Sequence, residues 1–99
     1  MCPDRLRTAE VDTLLAALSG LDDPDQTWAF LQDLCTVREI QEMAQRLAVA
    51  RMLAAGEHYT RVREVTGAST TTISRVNRCL NYGADGYSAA LRVVGEGGR

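Results

Sequence analysis

From Thr36 to Ala55 the chain runs TVREIQEMAQRLAVARMLAA, twenty residues with no Pro and no Gly. Thr36 and Glu39 have the spacing of a capping box, in which each side chain satisfies the other's backbone N–H. Gly56 stands where such a helix would stop in a left-handed turn. Between these signals lie Ile40, Met43, Ala44, Leu47, Ala48, Val49, Ala50, Met52, Leu53, Ala54 and Ala55. They cover more than one stripe of a 3.6-residue helix. The stretch therefore predicts a long central helix buried on more than one face. Arg46 and Arg51 interrupt it and need a separate explanation.

The rest of the chain is compatible with an all-α fold of about six helices. Its two prolines, Pro3 and Pro24, lie outside the long apolar-periodic segments. Val11, Leu14, Leu15 and Leu18 form one stripe, predicting a helix over about 8–18 that stops at Ser19-Gly20. Asp23 can cap a second helix, with Pro24 at its first position and Asp25 at the positive end of its dipole. Trp28, Leu31, Leu34 and Cys35 share a stripe there. Phe30 lies on another side, so this helix should meet two surfaces. Shorter helices are expected over 60–66, 70–80 and 88–94, with a turn-rich loop at NYGADGY. One helical domain over 8–94 is expected, with flexible ends at 1–7 and 95–99.

Cys2, Cys35 and Cys79 are widely spaced and lack nearby His partners, so neither a metal pattern nor a disulfide framework is read from them. His58 is read as a loop residue. No apolar run approaches eighteen residues and no signal-peptide pattern is present, which points to the reducing cytoplasm. The net charge of −2 hides a division. Residues 1–45 carry three Arg against nine acids, a balance of −6; residues 46–99 carry eight Arg against four acids, a balance of +4. Every basic side chain is Arg. The second half is thus suited to a polyanion, and Arg suits phosphates and guanine edges through bidentate geometry.

The segment from Thr60 to Leu80 carries helix-turn-helix grammar. Val62 and Val65 are expected to face inward on the first helix. Gly67 supplies a positive-φ turn residue. Ser69 can cap the second helix, where Ile73, Val76 and Leu80 form the inward stripe. At 100° per residue the opposite face holds Thr71, Ser74, Arg75 and Arg78. That face has hydroxyls near the helix N-terminus and guanidinium groups beyond, and no acid. A helix N-terminus draws phosphates to its free N–H groups. The candidate DNA-binding residues are Arg61, Arg63, Ser69, Thr70, Thr71, Thr72, Ser74, Arg75 and Arg78, divided between phosphate contacts that position and base contacts that specify.

GASTTTISRVNRCLNYG, with the upstream TVREIQEMAQRLAVARMLAAGEHYTRVREVT, resembles the Trp repressor family, and most closely its YerC/YecD group. The resemblance covers about 10–92 and is most specific over 36–83. It implies an interlocked all-helical homodimer. In it the first, second, third and last helices are shared between subunits, two reading heads project, and Trp28 and Phe30 lie between subunits. It implies a palindromic site in double-stranded DNA. It also implies an effector pocket for a small-molecule corepressor, onto which Thr36, Arg46, Thr72 and Arg75 map. Two positions depart from the family pattern: Val76 stands where the family has glycine and Cys79 where it has serine. Tryptophan control is therefore not carried over. The other readings of Arg46 and Arg75 are a different small anion, pairing with carboxylates or helix C-termini, or a phosphate contact by Arg75 with Arg46 steadying the reading head.

The expected function is a sequence-specific transcriptional regulator, a repressor acting by blocking access. Two alternatives belong to other classes. One is a small helical enzyme of chorismate-mutase type, with Arg46 and Arg51 binding a dicarboxylate. The other is a helix-turn-helix used for protein contacts. No nucleophile–base pair or metal cluster is visible for the first.

Overall fold

A computed structural model describes residues 6–95. Six helices account for most of them: α1 (Ala9–Gly20), α2 (Pro24–Leu34), α3 (Val37–Ala54), α4 (Tyr59–Thr66), α5 (Thr70–Tyr82) and α6 (Gly86–Val93). There is no strand among the described residues, as the all-α reading expected. The chain divides into two compact units between Gln41 and Glu42, and each is described by itself.

In the N-terminal unit the helix ends are set by local hydrogen bonds. The Thr8 hydroxyl accepts the Val11 N–H at 3.2 Å, starting α1. The Asp23 carboxylate accepts the Asp25 N–H at 3.1 Å, with Pro24 at the first position of α2. Thr36 and Glu39 form the reciprocal capping box: Glu39 Oε1 accepts the Thr36 N–H at 2.8 Å, and Thr36 Oγ1 accepts the Glu39 N–H at 3.1 Å. Ser19-Gly20 does not stop α1, which continues through Gly20 to a cap at Leu21. Neither α1 nor α2 holds a buried residue. Val11, Leu14 and Leu18 are half-buried, while Leu15 is exposed. On α2, Phe30, Leu31 and Cys35 are half-buried, whereas Trp28 and Leu34 are 50% and 51% exposed.

The C-terminal unit contains the core. Val49 and Ala50 of α3, Val62 of α4, Ala68 of the turn, Ile73 and Val76 of α5 and Leu91 of α6 are buried together. Leu47, Met52, Leu53, Leu80 and Tyr87 pack around them. Each full burial of a Val, Leu or Ile side chain removes apolar surface worth roughly 1.5–3 kcal/mol. Burial on α3 is thus confined to its second half; Met43 and Ala44 remain exposed. Helix α3 closes as its sequence predicts. Gly56 takes φ +88°, its N–H reaches the Leu53 carbonyl, and the Glu57 N–H reaches the Met52 carbonyl, both at 3.0 Å. That pair of bonds is a Schellman motif.

Most of the expected flexible ends lies outside the described residues. Arg7 donates from Nε to the Asp12 carboxylate at 2.6 Å, and the Gly95 N–H reaches the Arg92 carbonyl at 3.1 Å. The last helix begins two residues earlier than expected, at Gly86.

Candidate nucleic-acid interface

The turn between α4 and α5 is held from three directions. Gly67 adopts φ +74° and donates its N–H to the Arg63 carbonyl at 2.9 Å. A side chain there would force an L-residue into the left-handed region. The Thr66 hydroxyl donates to the Val62 carbonyl at 2.7 Å and accepts the Ala68 N–H at 3.1 Å. From α3, Gln45 donates its side-chain amide to the Thr66 carbonyl at 3.1 Å. These bonds fix the direction in which α5 leaves the core. Neither Gln45 nor Thr66 is in the sequence-derived site. Only a tertiary contact across 21 residues gives them this task, and periodicity carries no signal of it.

Val65 does not face inward; it is 55% exposed. Val62 is fully buried, and on a helix of 3.6 residues per turn position i+4 lies nearer its direction than i+3. Thr66 therefore takes the inward place, and its hydroxyl is satisfied by the Val62 carbonyl.

Helix α5 begins as read. The Ser69 hydroxyl accepts the Thr72 N–H at 3.1 Å and donates to the Thr72 hydroxyl at the same distance. Ser69 and Thr72 are thus engaged with each other, and Thr72 is half-buried. Ile73 and Val76 are 0% and 1% exposed, with Leu80 packed beside them. The opposite face carries Thr70, Thr71, Ser74, Arg75 and Arg78, all exposed, which line one open depression. Helix α5 contains no acid. On α4, Arg61 and Arg63 are exposed and project from opposite flanks, about 160° apart. Among the described residues Arg61, Arg63, Arg75 and Arg78 make no hydrogen bond or ion pair. Their charge is not consumed internally.

The residues of the expected effector pocket are not drawn into one cluster by hydrogen bonds. Thr36 uses its hydroxyl in the α3 capping box. Thr72 uses its own with Ser69. Arg75 lies in the depression with Arg78. Arg46 is half-buried on α3 and, among the described residues, makes no hydrogen bond or ion pair. Val76 belongs to the core cluster. Arg46 and Arg51 lie about 140° apart around α3. Cys35 and Cys79 are unpaired thiols. No described helix is long and apolar enough to cross a membrane.

Comparison with known proteins places the chain among relatives. The family model described as Trp repressor protein matches residues 9–94. The uncharacterized protein YerC of Bacillus subtilis strain 168 is 53% identical over 93 residues, covering 94% of this chain and 89% of that protein. The crystal structure of a candidate Trp repressor from Staphylococcus aureus superposes with a TM-score of 0.90 at 42% identity, covering 97% of this chain and 96% of the other. A TrpR-like protein from Eubacterium eligens ATCC 27750 gives a TM-score of 0.88 at 45% identity, covering 94% and 96%.

Proposed function

This chain belongs to the Trp repressor family, a family of helical DNA-binding regulators, and on that premise we propose that it is a sequence-specific transcriptional repressor. In this reading it binds a palindromic operator in double-stranded DNA as a homodimer, in the cytoplasm. The observation that carries the reading is the outward face of α5. Thr71, Ser74, Arg75 and Arg78 stand exposed together on a helix without an acid, backed by a buried stripe that fixes their direction. The N-terminal hydroxyls suit base edges and the nearest phosphates; Arg75, Arg78, Arg61 and Arg63 supply the charge. Occupancy of the operator alone is enough to block access.

The homodimer is supported by the N-terminal unit. Trp28, Leu34 and Leu15 are exposed on helices with no buried residue. A second copy of the same chain would cover this surface and complete one helical domain over 8–94. Two reading helices related by a twofold axis then match half-sites about one DNA turn apart.

No effector enters this reading. Val76 fills core space with its own side chain where the family has glycine. Arg75 is assigned to phosphate, and Arg46 to steadying the reading head from α3.

The test is selection of bound duplexes from random DNA at fixed salt, with and without tryptophan. The expected result is a palindromic consensus that is the same in both arms, with affinity falling steeply as salt rises. Thr71→Glu and Arg78→Glu should each weaken binding to that consensus by more than about a hundredfold while helicity is kept, because a carboxylate then faces the phosphates. No enrichment, or affinity indifferent to salt, would favour the protein-contact reading instead.

A further inference from the structure

We propose that Tyr82 is a DNA contact, a phenol that donates to a backbone phosphate at the far end of the reading helix. The proposal rests on α5 as the DNA-reading helix and adds a residue that the hydroxyl and guanidinium chemistry of its first turns does not point to.

Three observations carry it. Tyr82 is the last residue of α5 and is 79% exposed, among the most exposed of the large side chains described. Its direction matches the reading face: eleven residues at 100° each bring it within about 20° of Thr71, and it follows Arg78 by one turn. Thr71, Arg75, Arg78 and Tyr82 thus form one continuous stripe on the side opposite Ile73 and Val76. Finally, the chain turns off immediately beyond it. Gly83 donates its N–H to the Cys79 carbonyl at 2.9 Å, and a Cβ at Gly83 would collide with that same carbonyl oxygen. Glycine lets the helix close there. The chain then returns to the core through Tyr87 and Leu91, leaving the Tyr82 ring in the open.

The kind of contact follows from length. Thr71 and Tyr82 are eleven residues apart, or about 16 Å along the helix axis. The major groove is about 12 Å wide. With the N-terminal residues of α5 at the base edges, Tyr82 is too far along the axis to reach those edges, and the backbone phosphates are its nearer partners. A phenol is a good donor to a phosphate oxygen and brings no charge. It therefore strengthens binding to every sequence alike and releases no counterion.

The test uses the full chain and two duplexes, the selected operator and an unrelated sequence, with binding measured across a salt series. Tyr82→Phe removes only the hydroxyl. It is expected to weaken binding roughly fivefold per reading helix, by the same factor on both duplexes, with the salt slope unchanged. Arg78→Ala serves as the contrast, expected to lower the slope by about one per helix. Wild-type affinity in Tyr82→Phe overturns the phosphate contact, including the case where Tyr82→Ala alone weakens binding through its ring. Loss confined to the operator also overturns it, since that is base reading. If the wild-type chain binds neither duplex, the reading of α5 fails first and this proposal fails with it. Circular dichroism of both variants checks that the exposed position leaves the fold intact.

Discussion

The two units of this chain use the same local rules and reach different ends. In the N-terminal unit α1 and α2 are capped and phased as well as any helix in the molecule, yet neither fully buries a residue. In the C-terminal unit four helices close a core of Val49, Ala50, Val62, Ala68, Ile73, Val76 and Leu91. Caps and periodicity decide where helices form. They do not decide whether the chain itself supplies what covers the apolar face. Under the proposed function the difference divides two jobs: the C-terminal unit aims α5, and the exposed Trp28, Leu34 and Leu15 of the N-terminal unit meet the second copy.

The sharpest way to break this contrast is to remove the large residue that the N-terminal unit leaves half in solvent. Under the dimer reading, Trp28→Ala removes an aromatic anchor twice per assembly, once from each copy. Interface hot spots of this kind cost about 2 kcal/mol or more each, so the dimer dissociation constant should rise by about a thousandfold. Sedimentation velocity across a concentration series reads this directly. An unchanged association constant would place the interface elsewhere and leave the exposed surface of α2 without its explanation.

A core substitution tests the other side. Ile73→Ala should cost about 2–5 kcal/mol of folding stability, since it empties space that the rest of the core cannot fully refill. Its effect on DNA binding should appear through the reading helix losing its fixed direction, even though Ile73 faces away from the DNA. A mild loss, under about 1 kcal/mol by chemical denaturation, would mean that the core around α5 is looser than its full burial indicates.

Much of this contrast was legible in the sequence. Asp23-Pro24, Thr36 with Glu39, Gly56 and Gly67 announce helix ends through chemistry that works within four residues, and each does what its type predicts. The exposed face of α5 was legible for a similar reason: a step of 100° per residue separates Ile73, Val76 and Leu80 from Thr71, Ser74, Arg75 and Arg78. Val65 was misread because Val62 and Val65 have helical spacing, while the inward place went to Thr66, whose polar group is silenced by a backbone carbonyl. Gln45 was missed because its bond to the Thr66 carbonyl is made across tertiary structure. The wide apolar content of α3 predicted burial on several faces, but the single chain covers only the second half. A sequence shows that a face is apolar; it does not show which molecule covers it.

The smallest effect separates the two units most finely, because each holds a side-chain N-cap. Asp23 accepts the Asp25 N–H at 3.1 Å, and Ser69 accepts the Thr72 N–H at 3.1 Å. Replacing either by Ala leaves one helix N–H without its side-chain partner and should cost about 1 kcal/mol. The dependence on protein concentration should differ. Ser69 starts a helix whose buried face is covered by its own unit, so Ser69→Ala should show a penalty that does not vary as the protein is diluted within the dimeric range. Asp23 starts a helix that has no buried residue of its own. If a second copy orders it, the cost of Asp23→Ala is shared with association, and the variant should lose dimer stability along with helix stability. Thermal unfolding of both variants at several concentrations, alongside their dimer dissociation constants, makes the comparison. Weakened association in Asp23→Ala but not in Ser69→Ala ties the N-terminal unit to the partner; equal behaviour would mean that both units stand on their own packing.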